Sequence, residues 1–297
     1  SPRPSVGLVG VGNMGGGMAR RLIDLGWPVQ VHDIDTRRQT ELAASGATAH
    51  SSAAEVARAS DWLIVCVVDA AQTEAVLSGP SGLAPAWASG TRRVQGVLLC
   101  PTIAPADVER FADALASRGV AAIDAPMSGG PARARDGSMS LMVACPDAVF
   151  EAARPLLDAL SSRVFRVGTR PGDGARTKLV NNLLAGINLV GAAEVIALAE
   201  RIGLDGARTL DVIEQSSGQS WIGSDRLRRA LAGDFAPRAH MTLLEKDTRL
   251  AIDMAREAGL QGPLGARASA VFTEALVRGL AGEDDGALLK LLRDHRG

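Results

Sequence analysis

The stretch RTKLVNNLLAG, residues 176–186, sets Lys178, Asn181 and Asn182 inside a long apolar, helix-forming run. On an α-helix, positions i, i+3 and i+4 share one face, so the three polar groups project together. A lysine desolvated on such a helix has its charged form disfavoured, which brings the amine towards use as a proton acceptor and donor. Asn182 would hold such a group without adding a competing charge. Taken alone, the stretch fits a snorkelling lysine equally well.

Two glycine motifs upstream carry further chemistry. VGLVGVGNMGGGMARRL places Gly10, Gly12 and Gly15 in a G-x-G-x-x-G pattern between a strand-like and a helix-like run. The first two glycines permit a tight turn and close approach of backbone to a pyrophosphate. The third lets the following helix pack closely with its N-terminus towards the phosphates. With Asn13 and Met14 between them, they form the expected dinucleotide-binding turn. Asp33 closes the next strand-like run, 18 residues after Gly15, where a carboxylate can accept from both ribose hydroxyls. A 2′-phosphate would meet like charge there, so NAD is favoured over NADP. Arg37 and Arg38 stand close enough to offer a phosphate an alternative partner. The second motif, DAPMSGGPARARDGSM (124–139), presents Ser128, Gly129 and Gly130 after another strand-like run. Its residue pattern leaves both a plain turn and a carboxylate-holding nest open. Arg133 and Arg135 follow it, either solvated or reading a polar substrate tail.

These residues need a scaffold, and the sequence describes one. Short β-branched runs at 6–10, 28–33, 62–68, 94–100, 120–126, 140–145 and 164–168 read as strands. Amphipathic segments at 14–25, 52–59, 70–78, 105–118 and 147–160 lie between most of them, the signature of βαβ units and a mostly parallel sheet. Several strand runs are continuously apolar, as expected where helices cover both faces. After the connector GTRPGDG (168–174), helical periodicity dominates over 175–202, 206–216, 224–232, 240–258, 263–279 and 285–294. The expected fold is α/β: a Rossmann-type doubly wound sheet over 1–170, then an all-α domain over 171–297 for substrate binding and dimerisation. A long helix joins them. Its apolar positions on more than one face suit burial between domains or subunits.

Composition narrows the function classes. The chain has 297 residues, 46% of them hydrophobic, and a formal net charge of −1. That balance gives no electrostatic footprint for nucleic acid or an anionic membrane, while a small anionic substrate needs only one or two local cations. No uncharged apolar run of 18 residues appears, so no membrane span is expected. Cys66, Cys100 and Cys145 are sparse, odd in number and set in apolar runs, which reads as buried thiols in a reducing, cytoplasmic setting. The four histidines are scattered and no metal-ligand cluster is visible, so no metal is expected. His32 and His50 look structural, and His240 is open.

In order, GVGNMGGGMA, DAPMSGG, GDGARTKLVNN and LLEKD resemble the β-hydroxyacid dehydrogenases over essentially the whole chain. AAQTEAVL (70–77), SGQSW (217–221) and LAGDF (231–235) look most like the L-threonate dehydrogenase branch. The resemblance implies an NAD-dependent enzyme that moves a hydride between nicotinamide and the hydroxyl-bearing carbon of a small β-hydroxy acid. The substrate types it suggests are 3-hydroxyisobutyrate, glycerate with tartronate semialdehyde, and threonate. It assigns Lys178 as the catalytic lysine and Asn182 as the substrate-bonding residue beside it. Ser128, Gly129 and Gly130 would hold the substrate carboxylate. Lys246 would reach the closed site near substrate and cofactor, with Asp247 orienting it. Val67, Val68 and Thr102 match positions that line the cofactor, and Pro101 departs from the small hydroxyl residue often found there. A homodimer or homotetramer is implied. Two rivals are an NADPH-dependent imine reductase, which usually lacks the lysine, and a dinucleotide-bound scaffold without catalysis.

Overall fold

A computed structural model describes residues 3–88 and 94–295. The chain divides into two compact units, Ser1–Lys178 and Leu179–Gly297.

The first unit is built on a nine-stranded sheet. Its strands are β1 (Val6–Val9), β2 (Val29–His32), β3 (Thr48–Ala49), β4 (Trp62–Val65), β5 (Gly96–Leu99), β6 (Ala121–Asp124), β7 (Met127–Ser128), β8 (Ser140–Ala144) and β9 (Arg163–Gly168). The order β3-β2-β1-β4-β5-β6 is parallel throughout and reverses direction of travel between β1 and β4. In an open sheet, that reversal is where ligands bind, outside the carboxyl ends of the strands. Beyond β6, β8 runs antiparallel to both β6 and β7, and β9 pairs parallel with β8. All seven anticipated strands are present. The two-residue β3 and β7 were not anticipated, being too short to show periodicity.

Helices α1 (Asn13–Asp24), α2 (Thr36–Ala44), α3 (Ala53–Ala59), α4 (Ala70–Ser78), α5 (Leu83–Ala88), α6 (Pro105–Ala116), α7 (Gly130–Asp136) and α8 (Asp147–Leu160) flank the sheet. The period of two along each strand sorts its side chains into two cores. Leu8, Ile64, Leu98 and Ile123 join Met18 and Leu22 of α1 and Leu156 and Leu157 of α8. Leu63, Val65, Val97 and Leu99 join Val56 of α3 and Val108 and Phe111 of α6. This two-sided burial is why those strands read as unbroken apolar runs.

The 29-residue α9 (Asp173–Arg201) starts in the first unit and continues in the second. The second unit is helical. It adds α10 (Gly206–Glu214), α11 (Trp221–Leu231), α12 (Met241–Glu257), α13 (Gly265–Val277), a 3-10 turn (Asp285–Ala287) and α14 (Leu288–Asp294). Leu189, Ala193 and Ile196 of α9 share its core with Leu227, Leu244, Phe272, Leu288 and Leu289. At Gly186 a Cβ would lie 2.7 Å from Thr248 Cγ2, so glycine lets α9 and α12 approach closely. By length and composition alone α9 could cross a bilayer, with a mean hydropathy of 1.7 in its most apolar window. Here one face of that helix is core, and the opposite face stays exposed.

Candidate active site

In the first unit, the turn after β1 is shaped by contacts that only glycine tolerates. Gly10 has φ +89°, and a Cβ on it would lie 2.3 Å from the Cys66 carbonyl oxygen at the end of β4. A Cβ on Gly15 would lie 2.1 Å from the Gly10 carbonyl oxygen. Gly12 is the N-cap of α1 and offers no side-chain hydrogen bond to its first turn. The amides at this helix end, spanning Asn13 and Met14, are therefore a ready anion site at the edge of the sheet.

Asp33 lies beside this turn and is buried. Its Oδ2 accepts from the Val11 amide at 2.8 Å, and its Oδ1 accepts from the Asp35 amide at 2.8 Å. Each oxygen keeps a second lone pair, so the carboxylate can still receive two hydroxyls. Arg37 is turned to Asp35, with Nη2 3.0 Å from Oδ2, and Arg38 Nε lies 3.7 Å from the same oxygen. The salt-bridging Arg37 holds the Asp35 carboxyl below its usual value. Val67 and Val68 follow β4, where the Val68 amide donates to Gln72 Oε1 at 3.0 Å. Thr102 follows β5 and is half-buried. A glycine cradle, an uncapped helix end and a buried carboxylate suit a dinucleotide with a free ribose.

The second glycine motif also lies in this unit. Ser128 ends β7, opposite Ser140 of β8. Gly129 and Gly130 follow with φ +127° and +79°, a backbone course that side chains resist. A Cβ on Gly130 would meet nothing within 4 Å, so the turn faces open space. At Gly17 a Cβ would lie 3.1 Å from Ala134 Cβ, so α7 sits tightly on α1 and the two motifs share one rigid support. Lys178 closes the unit, only 7% exposed, just over one turn into α9.

The second unit gathers the other polar residues. Asn182 is buried, and its Nδ2 donates to Asp247 Oδ2 at 2.7 Å. Lys246 Nζ lies 3.4 Å from Asp247 Oδ1. Asn181 Nδ2 donates to Asn182 Oδ1 at 3.0 Å, which gives this residue a partner that sequence pattern left undecided. The result is a chain from Asn181 through Asn182 and Asp247 to Lys246. Asp247 thus meets both the lysine beside it and the asparagine of α9.

Comparison with known proteins divides the chain a few residues before the boundary of the two compact units. Residues 5–168 match the NAD binding domain of 6-phosphogluconate dehydrogenase. Residues 172–292 match the family described as NAD-binding of NADP-dependent 3-hydroxyisobutyrate dehydrogenase. L-threonate dehydrogenase of Cupriavidus necator is 36% identical over 287 residues, spanning 97% of this chain and 95% of that protein. The 3-hydroxyisobutyrate dehydrogenase of Pseudomonas aeruginosa is 33% identical, spanning 90% of this chain and 91% of that one. This chain belongs to the β-hydroxyacid dehydrogenase family. A crystal structure of 3-hydroxyisobutyrate dehydrogenase from Salmonella typhimurium superimposes with a TM-score of 0.89 at 36% identity, covering 97% of this chain and 99% of that one.

As a β-hydroxyacid dehydrogenase, the chain is an oxidoreductase whose substrate is a small molecule and whose redox partner is a nicotinamide dinucleotide. Other residues left open by the sequence now have surroundings. Arg135 pairs with Asp24 of α1 at 2.5 Å and fastens α7 to it. Arg133 folds across Gly129, where a Cβ would lie 2.7 Å from its Cδ. His240 stands at the N-cap position of α12 without a side-chain capping bond, and its backbone forms an isolated bridge with Asp284. His50 Nε2 lies 2.7 Å from Gln30 Oε1, and His32 Nδ1 lies 3.1 Å from the His50 carbonyl. The three cysteines are free thiols, and burial pushes Cys66 up to about 12, which keeps it unreactive.

Proposed function

We propose that this dehydrogenase oxidises, reversibly, the hydroxyl-bearing carbon of a small β-hydroxy carboxylic acid, with NAD rather than NADP as hydride acceptor. The observation that carries the reading is the buried Lys178, followed one helical turn later by an asparagine tied to Asp247. Nicotinamide, when bound, supplies the two-electron chemistry. Gly10, Gly12, Asn13, Met14 and Gly15 hold the pyrophosphate, Asp33 receives the ribose hydroxyls, and Val67, Val68 and Thr102 line the base side. Ser128, Gly129 and Gly130 fix the substrate carboxylate, which sets the distance to the reacting carbon.

In oxidation, neutral Lys178 takes the hydroxyl proton as hydride leaves the same carbon. In reduction, its ammonium returns the proton to the carbonyl oxygen. Asn182 hydrogen-bonds the substrate, its amide orientation set by Asp247. The family resemblance assigns Lys246 to substrate and cofactor, and its ion pair with Asp247 supports Asp247 as the residue that orients it. The second unit serves as the substrate and dimerisation domain. An exposed stripe on α9, Val180, Leu184, Val195 and Leu198, lies at helical spacing and supports a homo-oligomer formed through that face.

Threonate, 3-hydroxyisobutyrate and glycerate, each mixed with NAD and with NADP, test the reading through the appearance of reduced nicotinamide. Turnover of one acid with NAD is the expected result. Silence with all three, alongside reduction of cyclic imines by NADPH, would replace the reading with an imine reductase; silence with every substrate would favour a scaffold.

A further inference from the structure

We infer that Asp124 is a positioning residue: its buried carboxylate fixes the start of α9, the helix whose second turn carries Lys178, against the turn that carries Ser128, Gly129 and Gly130. The inference rests on the assignment of Lys178 as proton handler. Asp124 is the last residue of β6 and only 1% exposed. Its Oδ2 accepts from the Gly172 amide at 2.7 Å and from the Ala175 amide at 3.0 Å. The Gly174 amide bonds the same carboxylate. The amides that begin a helix have no partner within it, and here a carboxylate about 50 residues earlier takes their place. A Cβ on Gly174 would lie 2.8 Å from Asp124 Cγ and 2.8 Å from the Met142 carbonyl, so glycine is what allows this approach. Lys178 follows Ala175 by three residues, and Ser128 follows Asp124 by four. One carboxylate therefore links, within a few residues of each along the chain, the segments that carry the proposed substrate anchor and the proposed proton handler, inside one compact unit.

Burial drives the Asp124 carboxyl up to about 6, against the lowering effect of the Ala175, Gly172 and Gly174 amides. The other titratable groups around it are Asp173 on α9, which raises it further, and the thiols of Cys100 and Cys145. At neutral pH the fold therefore keeps an ionised carboxylate where burial opposes it.

Three variants test this: Asp124→Asn, Asp124→Ala, and Gly174→Ala, which keeps the carboxylate but displaces the helix end. Lys178→Met is the control for the underlying assignment. At neutral pH, Asp124→Asn should unfold at the same temperature as the unmodified protein or higher, and bind NADH unchanged. Its kcat should fall on the order of tenfold. Asp124→Ala and Gly174→Ala should lose roughly a hundredfold, the scale of an ångström of misplacement, again with unchanged NADH binding. Hydrogen exchange at the 172–178 amides should quicken in Asp124→Ala, a readout that needs no turnover. Native kcat and native exchange in Asp124→Ala and Gly174→Ala, with Lys178→Met inactive, would overturn the inference and leave the lysine assignment standing. A joint loss of thermal stability, NADH binding and kcat in all three would also overturn it. An active Lys178→Met would instead refute the assignment on which the inference rests.

Discussion

Replacing Asp33 should change which dinucleotide is used, and the structure sets the size of the change. In the proposed reading the Asp33 carboxylate receives the ribose hydroxyls, so a 2′-phosphate would bring a second negative charge close to it. Two unit charges about 4 Å apart interact by about 4 kcal/mol at a near-surface effective dielectric of 20, before screening and relaxation. Retaining roughly half of that gives a discrimination against NADP of about 30-fold at 1.4 kcal/mol per decade. Asp33→Ser should remove this term. It should also weaken the glycine turn, because Asp33 accepts from the Val11 and Asp35 amides at 2.8 Å each. NAD efficiency should therefore fall while NADP efficiency rises modestly. The gain is limited because Arg37 and Arg38 are both engaged by Asp35. Asp33→Ser with Asp35→Ser should free both guanidiniums and raise NADP efficiency more than the two single changes combined. The assay is kcat/KM with each dinucleotide at fixed saturating substrate. An unmodified protein that prefers NADP, or a ratio unmoved by Asp33→Ser, would refute the reasoning.

Gly129→Ala forces a side chain onto φ +127° and against Arg133, so KM for the acid should rise at least tenfold while NADH binding, followed by fluorescence, stays the same. Asp124 should leave a pH signature, since its pKa of about 6 lies above its unhindered value of 3.8. The folded chain then binds this proton more tightly than the unfolded chain, so the stabilisation is complete below about 4 and is lost as pH rises through 6. Denaturant titrations should show Asp124→Asn gaining on the unmodified protein by up to about 3 kcal/mol between pH 4 and 7, at about 1.36 kcal/mol for each pH unit separating the two values. A constant difference would contradict that sign. Leu184→Glu with Leu198→Glu charges the exposed stripe of α9, and sedimentation should show a smaller assembly than the unmodified protein forms.

The parts of this molecule that were legible in its sequence are those written in short-range pattern. The glycine turn and Asp33 stand within one βαβ unit, so spacing alone placed them. The strands between helices were visible because two-sided burial makes them uniformly apolar. Direction was not visible: the run 140–145 reads as a strand, but nothing in it tells that β8 lies antiparallel to β6. The helices α2 and α7 carry too little periodic apolar surface to be seen, and α7 is held by Arg135 on Asp24, a pair more than a hundred residues apart. Asp124 looked like the end of a strand because its partners lie 48 and 51 residues further on. Asn181 was ambiguous for the opposite reason. Its partner is its neighbour, and helix geometry does not predict a bond between adjacent side chains.

The most direct test of the account is single-turnover kinetics of Lys178→Met beside NADH affinity measured on the same sample. The chemical step should slow at least a thousandfold, within the range general acid–base catalysis supplies, with NADH binding nearly unchanged. A variant that transfers hydride at the native rate would contradict it.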